Sequence, residues 1–553
     1  PIGQNHRTSY VFGLRRSWLD LLSTPIFALV NKGNDDKVSL GYLFYDMNAK
    51  LSHIFSNRSR LSLSLYSGRD RFSTKDDSYF EYSTDANGNI WSDHDITRMN
   101  MRWGNRNVAL NWNYVFSPKL FANFNATFTQ NYSRYNYIDD DSYGKKGEEK
   151  VSYLSHGYRS MIYDTGADAQ FDYRPSSRHH IRFGTAYTWH VFRPQTQAQR
   201  SVVGTAEKTD TISTSGSNRN VSHELNLFAE DSWRLAPQWS LNAGFNASLF
   251  NTDAKTFMRF DPRLAMRWQM SRTLAAKLSY TMMTQYVHRI TNSFLDLPTD
   301  YWVSTTAKLE PMRAWQLTAG LYAEPSSHLS LSVEAYYKQT NHMLQYASWA
   351  GIEPPADHWD ENVMDGRGKA YGIEADIHYH TTRLDLAAAY TLSWNKRHYD
   401  EWYDGWFADK FDNRHKLNIT MQWAVTKKIN LTAAFTMRSG NRMTVPTQIA
   451  PMPDTPGGSN KYGNYSYDVN TYIYERPNNV SLPMYHRLDL GADFHHTTKH
   501  GHERIWNVSI YNAYCHLNAM YVELKQDWNG SALRAKAPGF IPILPSVSYT
   551  IKF

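Results

Sequence analysis

Hydrophobic and polar residues alternate one for one over much of the chain. Leu61, Leu63 and Leu65 are spaced by serines, and the same beat runs through residues 120–128, 241–249, 329–337, 384–392 and 429–437. A period of two puts every apolar side chain of a run on one face and every polar one on the other, which predicts strands rather than helices. The last eight residues, 546–553, keep the alternation and close it on Phe553.

Short polar segments join these strands in pairs. Nine of them are Ser56-Asn57-Arg58-Ser59, Ser117-Pro118-Lys119, Pro175-Ser176-Ser177-Arg178, Ala236-Pro237-Gln238, Ser271-Arg272-Thr273, Glu324-Pro325-Ser326-Ser327, Thr381-Thr382-Arg383, Thr426-Lys427-Lys428 and the stretch 496–501. Pro, Gly, Ser and Asn are the chemistry of tight reversals. The intervening connections, at 73–97, 138–152, 195–219, 289–309, 347–367, 398–411 and 445–481, are long and rich in Gly, Asp, Asn and Trp. Short turns on one side and long loops on the other are the asymmetry of an outer-membrane barrel, in which one strand face meets lipid and the other meets a wet lumen. Nine hairpins, a strand at 7–16 and a strand ending at Phe553 make about 20 strands. The expectation is an all-β transmembrane antiparallel barrel occupying residues 1–553 as one domain.

Composition supports this. The chain has 553 residues, 15% of them aromatic (38 Tyr, 18 Trp, 25 Phe), yet its mean hydropathy is −0.61, a combination expected where lipid-facing and water-facing residues alternate. No apolar run approaches the roughly 20 residues of a membrane helix, which leaves spanning by closed strands open. Cys515 is the only cysteine, so no internal disulfide forms. The net charge of +7 comes from 59 basic residues interleaved with 52 acidic ones, and without clustering it argues against nucleic acid as a partner. Pro1-Ile2-Gly3-Gln4 is neither a signal peptide nor a translation start, and the expectation is a chain that lacks its beginning.

Seven stretches bear a further likeness: Arg7-Thr8-Ser9-Tyr10 with residues 15–22; Phe260-Asp261-Pro262-Arg263-Leu264-Ala265; residues 292–303; Leu309-Glu310-Pro311 with Trp315-Gln316; Glu334-Ala335-Tyr336-Tyr337-Lys338; Gly368-Lys369-Ala370-Tyr371-Gly372-Ile373-Glu374; and Phe411-Asp412-Asn413-Arg414-His415. Together they resemble the barrel portion of the TonB-dependent outer-membrane transporters of Bacteroidetes-type bacteria. The resemblance implies a 22-stranded barrel filled by a plug domain, energised by the TonB system and devoted to uptake of a scarce nutrient: an iron chelate, haem, cobalamin, oligosaccharide or peptide. It begins at the turn before the family's third strand. The plug and the first two strands are therefore expected to be cleaved, carried on a separate chain or outside this sequence, with an open seam at Phe553. A surface lipoprotein lid is a further partner compatible with the family, beside outer-membrane lipid. The alternative is a structural or assembly component that retains the barrel but not transport.

Loop aromatics are the candidate ligand residues: Trp349, Trp359, Trp402, Tyr403, Trp406 and Trp528. Flat side chains at a barrel mouth stack on flat or ring-shaped ligands, while the competing reading places them in the interfacial girdle or in loop packing. The histidines His495, His496, His500 and His502 crowd one short turn, and His179-His180 and His378/His380 read as strand or turn residues. Asp139-Asp140-Asp141 with Glu148-Glu149 reads as a solvated outer loop without the Gly-punctuated order of a calcium site. No metal, cofactor or catalytic residue is expected. Walker, nucleophile-elbow and His-Glu-x-x-His motifs do not occur.

Overall fold

The computed structural model describes residues 7–552 apart from 18, 83–87, 89, 146–149, 204–209, 218, 253, 291–300, 347–358, 452–469, 500 and 527–532. The wall is an antiparallel meander of twenty strands. The first ten are β1 (Thr8–Arg16), β2 (Lys37–Ser56), β3 (Ser59–Tyr82), β4 (Trp91–Ser117), β5 (Leu120–Lys145), β6 (Lys150–Tyr173), β7 (His179–Phe192), β8 (Asn220–Ala236), β9 (Trp239–Asn251) and β10 (Thr256–Gln269). The second ten are β11 (Leu274–Gln285), β12 (Met312–Ser326), β13 (Leu329–Tyr346), β14 (Val363–His380), β15 (Leu384–Tyr399), β16 (His415–Thr426), β17 (Ile429–Arg438), β18 (Tyr485–Thr497), β19 (Glu503–Tyr511) and β20 (Leu544–Lys552). Each pairs with the next. All nine short turns fall between paired strands, as their chemistry predicts. Among the described residues β1 pairs only with β2 and β20 only with β19, so the sheet does not close on itself.

The register sorts the faces. Leu63 on β3 lies opposite Leu51 and Leu110, and Ser62 opposite Ser52 and Asn111, so over this band one side of the sheet is apolar and the other polar. Aromatic rings mark both edges of the apolar band. Near the short turns Trp112 stacks on Phe124, Phe124 meets Phe171, and Phe171 stacks on Phe183. On the long-loop side a ladder runs from Tyr280 through Trp315, Tyr337 and Tyr371 to Trp394, with centroid spacings of 5.3–6.5 Å. Amphipathic rings concentrate where hydrocarbon gives way to headgroups. Leu110→Arg, at mid-band on β4, is expected to cost about 2–4 kcal/mol, whereas Asn111→Arg, its lumen-facing neighbour, stays within about 0.5 kcal/mol. Urea titration of the barrel in lipid vesicles reads the difference, and equal costs would overturn the assignment of faces.

Three features depart from the sequence reading. First, β3 to β6 run 24–27 residues, well beyond the 9–11 that span a bilayer. The stretches 73–82, 91–97 and 138–145, expected as loops, are the tops of these strands. Once both faces meet water the alternation stops, but the backbone ladder continues. Asp139, Asp140 and Asp141 therefore sit on β5, with Asp95 directly opposite Asp141. Crowding follows: burial and then the neighbouring charges of Asp93 and Asp139 push the Asp141 carboxyl above its ordinary range. Glu148 and Glu149 lie outside the described residues. Second, the expected loop at 195–219 contains a ribbon, Gln195–Val203 against Asp210–Ser217, which extends the wall beside β6. Third, a helix, α1 (Leu19–Val30), follows β1 and packs along β2. Its far end is pinned to that strand by Asn31, whose side chain donates to the Val38 carbonyl and accepts from the Val38 amide.

Candidate functional site

The long connection between β11 and β12 folds inward. Its two limbs, Val287–Ile290 and Tyr301–Ser304, form a small antiparallel ribbon that touches β6 and β7 on one side and β13 on the other. Those strands lie far apart in the wall, so the ribbon bridges the lumen mouth. Polar side chains of the inner wall receive it: the Trp302 amide donates to Ser160 Oγ, and the Ser304 hydroxyl donates to Ser222 Oγ.

What holds the ribbon there is apolar. Ile290, Val303 and Leu309 form one buried cluster with Met101 of β4, Tyr135 of β5, Tyr158 of β6, Tyr346 of β13 and Trp359. Phe72, Met99, Trp103, Tyr137, Leu344 and Val363 pack around it. The descending limb is also tied to the β13–β14 connection, by Lys308 to Glu361 and by Thr306 Oγ1 donating to Asp360. A polar inner wall, which carries Ser, Asn and Thr together with charged pairs such as Arg182 with Glu230, thus holds a hydrophobic core at its outer end.

His288 sits inside this module, 4% exposed. The single proton of the Thr305 hydroxyl goes to the Tyr286 carbonyl, so Thr305 Oγ1 accepts from His288 Nε2–H at 3.0 Å, fixing the neutral tautomer. Burial lowers the imidazole pKa to about 4. The folded value lies below the unfolded one, so between pH 6.5 and 4 the unfolded form binds the extra proton. The stability from the neutral ring is present above pH 6.5 and lost as pH falls toward 4, up to about 3 kcal/mol in all. Protection factors of the ribbon amides, observed exchange corrected for the intrinsic rate at each pH, are expected to fall over that window, and a His288→Gln variant to flatten the response; pH-independent protection factors would show that the ring is not sealed.

The six candidate aromatics separate. Trp359, on a single 3-10 turn at Trp359–Glu361, is 3% exposed and belongs to the apolar cluster. Trp402 and Tyr403 are half-buried against Met364, Tyr399 and Phe407 at the outer end of β15, where Tyr399 shares the lumen-facing parity of Asp385, Ala387 and Thr391. Trp406 points the other way. It takes the Lys369 ammonium 4.0 Å from its ring centroid and stacks on His398, both of which share the lipid-facing parity of their strands. Trp349 and Trp528 lie outside the described residues.

Among the described residues one group places three metal-capable atoms within 4.8 Å of each other: His378, His380 and Asp385, at the short-turn end of the lumen face. His380 Nδ1 lies 2.9 Å from the Asp385 carboxylate, and His378 Nε2 3.2 Å from it. In the crowded turn near residue 500, His495 pairs with Glu503 at 2.9 Å, and His500 is outside the described residues.

The family model described as "TonB dependent receptor-like, beta-barrel" matches residues 44–513. The chain belongs to that family. Its barrel is a bacterial outer-membrane structure, and members are receptors and transporters rather than enzymes. Among solved structures the receptor barrel resembles the ferripyoverdine receptor of Pseudomonas aeruginosa bound to ferripyoverdine, with TM-score 0.54 and 10% identity over 93% of this chain and 70% of that one. It also resembles the ferric-catecholate import receptor Fiu from K12 E. coli, at 0.52 and 8% over 94% and 81%. The ferric preacinetobactin receptor BauA from Acinetobacter baumannii gives 0.51 and 11% over 98% and 80%. At such identities the likeness is one of fold. No curated protein matches the chain.

In this receptor the stretch 411–415 has a visible structural task. Asp412, buried, accepts from the Asn395 amide at 2.8 Å and lies 3.2 Å from Arg414 Nη2 and 3.3 Å from Arg442 Nε. Asn413 donates to the Ser439 carbonyl and to Asn441 Oδ1. Asp409 pairs with Arg397 and accepts from the Phe411 amide. These contacts lock the outer ends of β15, β16 and β17 together beneath Trp402 and Tyr403.

Proposed function

We propose that the chain is the wall and mouth of a TonB-driven importer of a scarce, chelate-sized nutrient, with a ferric chelate as the leading class. The observation that carries the reading is the ribbon folded across the mouth: a barrel that served only as scaffold has no use for a hydrophobic core at its outer end, whereas a receptor needs a preorganised surface to capture cargo. The ferric-chelate receptors named above supply the cargo class by likeness of fold. Trp402 and Tyr403 are the capture residues on this reading, with Trp349 and Trp528 as further candidates. The polar inner wall is the surface a plug covers, and the unpaired edges of β1 and β20 are where further strands join. These come from the same polypeptide or another. The seven sequence motifs carry the Bacteroidetes-type origin.

Uptake of radiolabelled ferric chelates by cells with and without the gene tests it. Expected is uptake that needs the gene and collapses when the TonB system is deleted. Equal uptake in both strains for every chelate would move the cargo to another class, and co-purification of a lipoprotein would point to a lidded glycan or peptide importer.

A further inference from the structure

The outward face of the tall part of the wall carries a row of like charges. Arg71 of β3 lies directly opposite Arg102 of β4, Arg102 opposite Arg134 of β5, and Arg134 opposite Arg159 of β6. Arg69 and Arg106 lie just below it on the same face. That face is the lipid side: Arg69 and Arg71 share the parity of Leu61, Leu63 and Leu65, and the residues flanking the row, Met101, Tyr135 and Tyr158, are buried in the mouth cluster on the other side of the sheet.

Like charges directly opposite one another destabilise a sheet, and none of these six arginines has an ion-pair partner among the described residues. Burial and the charges of Arg71, Arg69 and Arg134 lower even the Arg102 guanidinium. Asp77, higher on the same face, is already engaged by Lys75 at 2.5 Å and His94 at 2.8 Å. Arrangements of this kind persist when an anion completes them.

Height and shape say which anion. Arg106 lies two positions before Val108, the upper end of the apolar run Val108, Leu110, Trp112 on β4, and Arg69 lies four positions after Leu65, which puts them roughly 5–10 Å above that run along a tilted strand. The row itself lies about 14 Å above the band and spans about 14 Å across four strands. This is the headgroup zone of the outer leaflet. Between Arg134 and Arg159 the face hollows into a cavity of about 260 Å³, lined also by Asn136, Ser155, Gly157 and Gln195. Gly157 makes the space: a Cβ there would lie 3.1 Å from Asn136 Oδ1. Two guanidiniums around a polar hollow match a phosphate.

We propose that β3 to β6 bind a phosphorylated glycolipid of the outer leaflet, with one phosphate in the hollow between Arg134 and Arg159 and a second along Arg71 and Arg102. The acyl chains then lie on the apolar band below. The site is independent of what the lumen transports.

The test uses purified receptor in nanodiscs with lipid A as probe, in its bisphosphorylated and fully dephosphorylated forms, read by native mass spectrometry. Expected is retention of the bisphosphorylated form at least tenfold better than the dephosphorylated one. An Arg102→Gln/Arg134→Gln double variant is expected to lose that preference, and a lumen-facing Lys416→Gln control to keep it. Should the double variant fail to assemble, single Arg71→Gln, at an exposed position, carries the comparison with a smaller loss. Equal retention of the two lipids, unchanged retention in the arginine variants, or equal competition by inorganic phosphate would each overturn the proposal.

Discussion

Trp359→Ala is expected to release the ribbon from the barrel mouth. Trp359 is the largest side chain of the buried cluster that joins Ile290 and Val303 of the ribbon to β4, β5, β6 and β13. Removing a buried Trp side chain forfeits its transfer energy and leaves a cavity, together about 3–5 kcal/mol. The ribbon is a satellite module, held by this cluster and a few polar contacts, whereas the wall is held by its own ladder, so the loss falls on local opening. Amide exchange is therefore expected to rise by two to three orders of magnitude across Val287–Ile290 and Tyr301–Ser304 while the amides of β4 and β5 remain protected. Trp359→Phe keeps much of the contact and should move exchange about tenfold. If Trp359→Ala leaves ribbon exchange unchanged, the cluster does not hold the mouth. On the importer reading the same variant weakens cargo capture, because a mobile ribbon must be ordered on binding.

The wall was legible and the mouth was not, for one physical reason. A strand between lipid and water must alternate, so Leu61, Leu63 and Leu65 announce both a strand and its face. Tight reversals need particular residues, so Pro118 or Pro237 announces where a hairpin ends. Above the membrane neither constraint acts. Asp139, Asp140 and Asp141 form a ladder in water on both faces and so read as a loop. The ribbon at 287–304 depends on contacts with residues some 130 to 200 positions earlier, such as Met101 and Tyr158, which no local pattern encodes. Loop aromatics show the same limit within four residues. Trp402 turns inward and Trp406 outward because Gly405, at φ +126°, sits in a bulge of the strand Tyr403–Ala408, where pairing with β15 shifts between Tyr399 opposite Tyr403 and Arg397 opposite Phe407. The sequence offers both as loop aromatics, with ligand stacking and girdle packing as rival readings; only the backbone path turns one inward and the other outward.

Asp412→Ala is expected to be among the most destabilising changes outside the apolar cluster. The carboxylate is 4% exposed and serves three partners at once: the Asn395 amide of β15, Arg414 at the entry to β16, and Arg442 beyond β17. Removing it leaves a buried N–H without an acceptor and two guanidiniums facing each other across the gap. Breaking a buried pair from one side costs about 3–5 kcal/mol, and because the arginines are a quarter to a third exposed the lower end applies, about 3 kcal/mol. Asp412→Asn retains an acceptor for Asn395 and loses only the charge, so about half that cost is expected. The pair is informative in urea titrations of the barrel in vesicles, where the ratio of the two losses separates hydrogen bonding from charge. Adding Arg442→Ala to Asp412→Ala removes one of the stranded cations and should recover part of the loss; strict additivity would mean that the 3.3 Å approach carries no coupling. Because Asp412 braces the segment beneath Trp402 and Tyr403, the importer reading also requires Asp412→Ala to lower cargo affinity more than Leu110→Arg, which disturbs the wall from the lipid side and leaves the mouth in place.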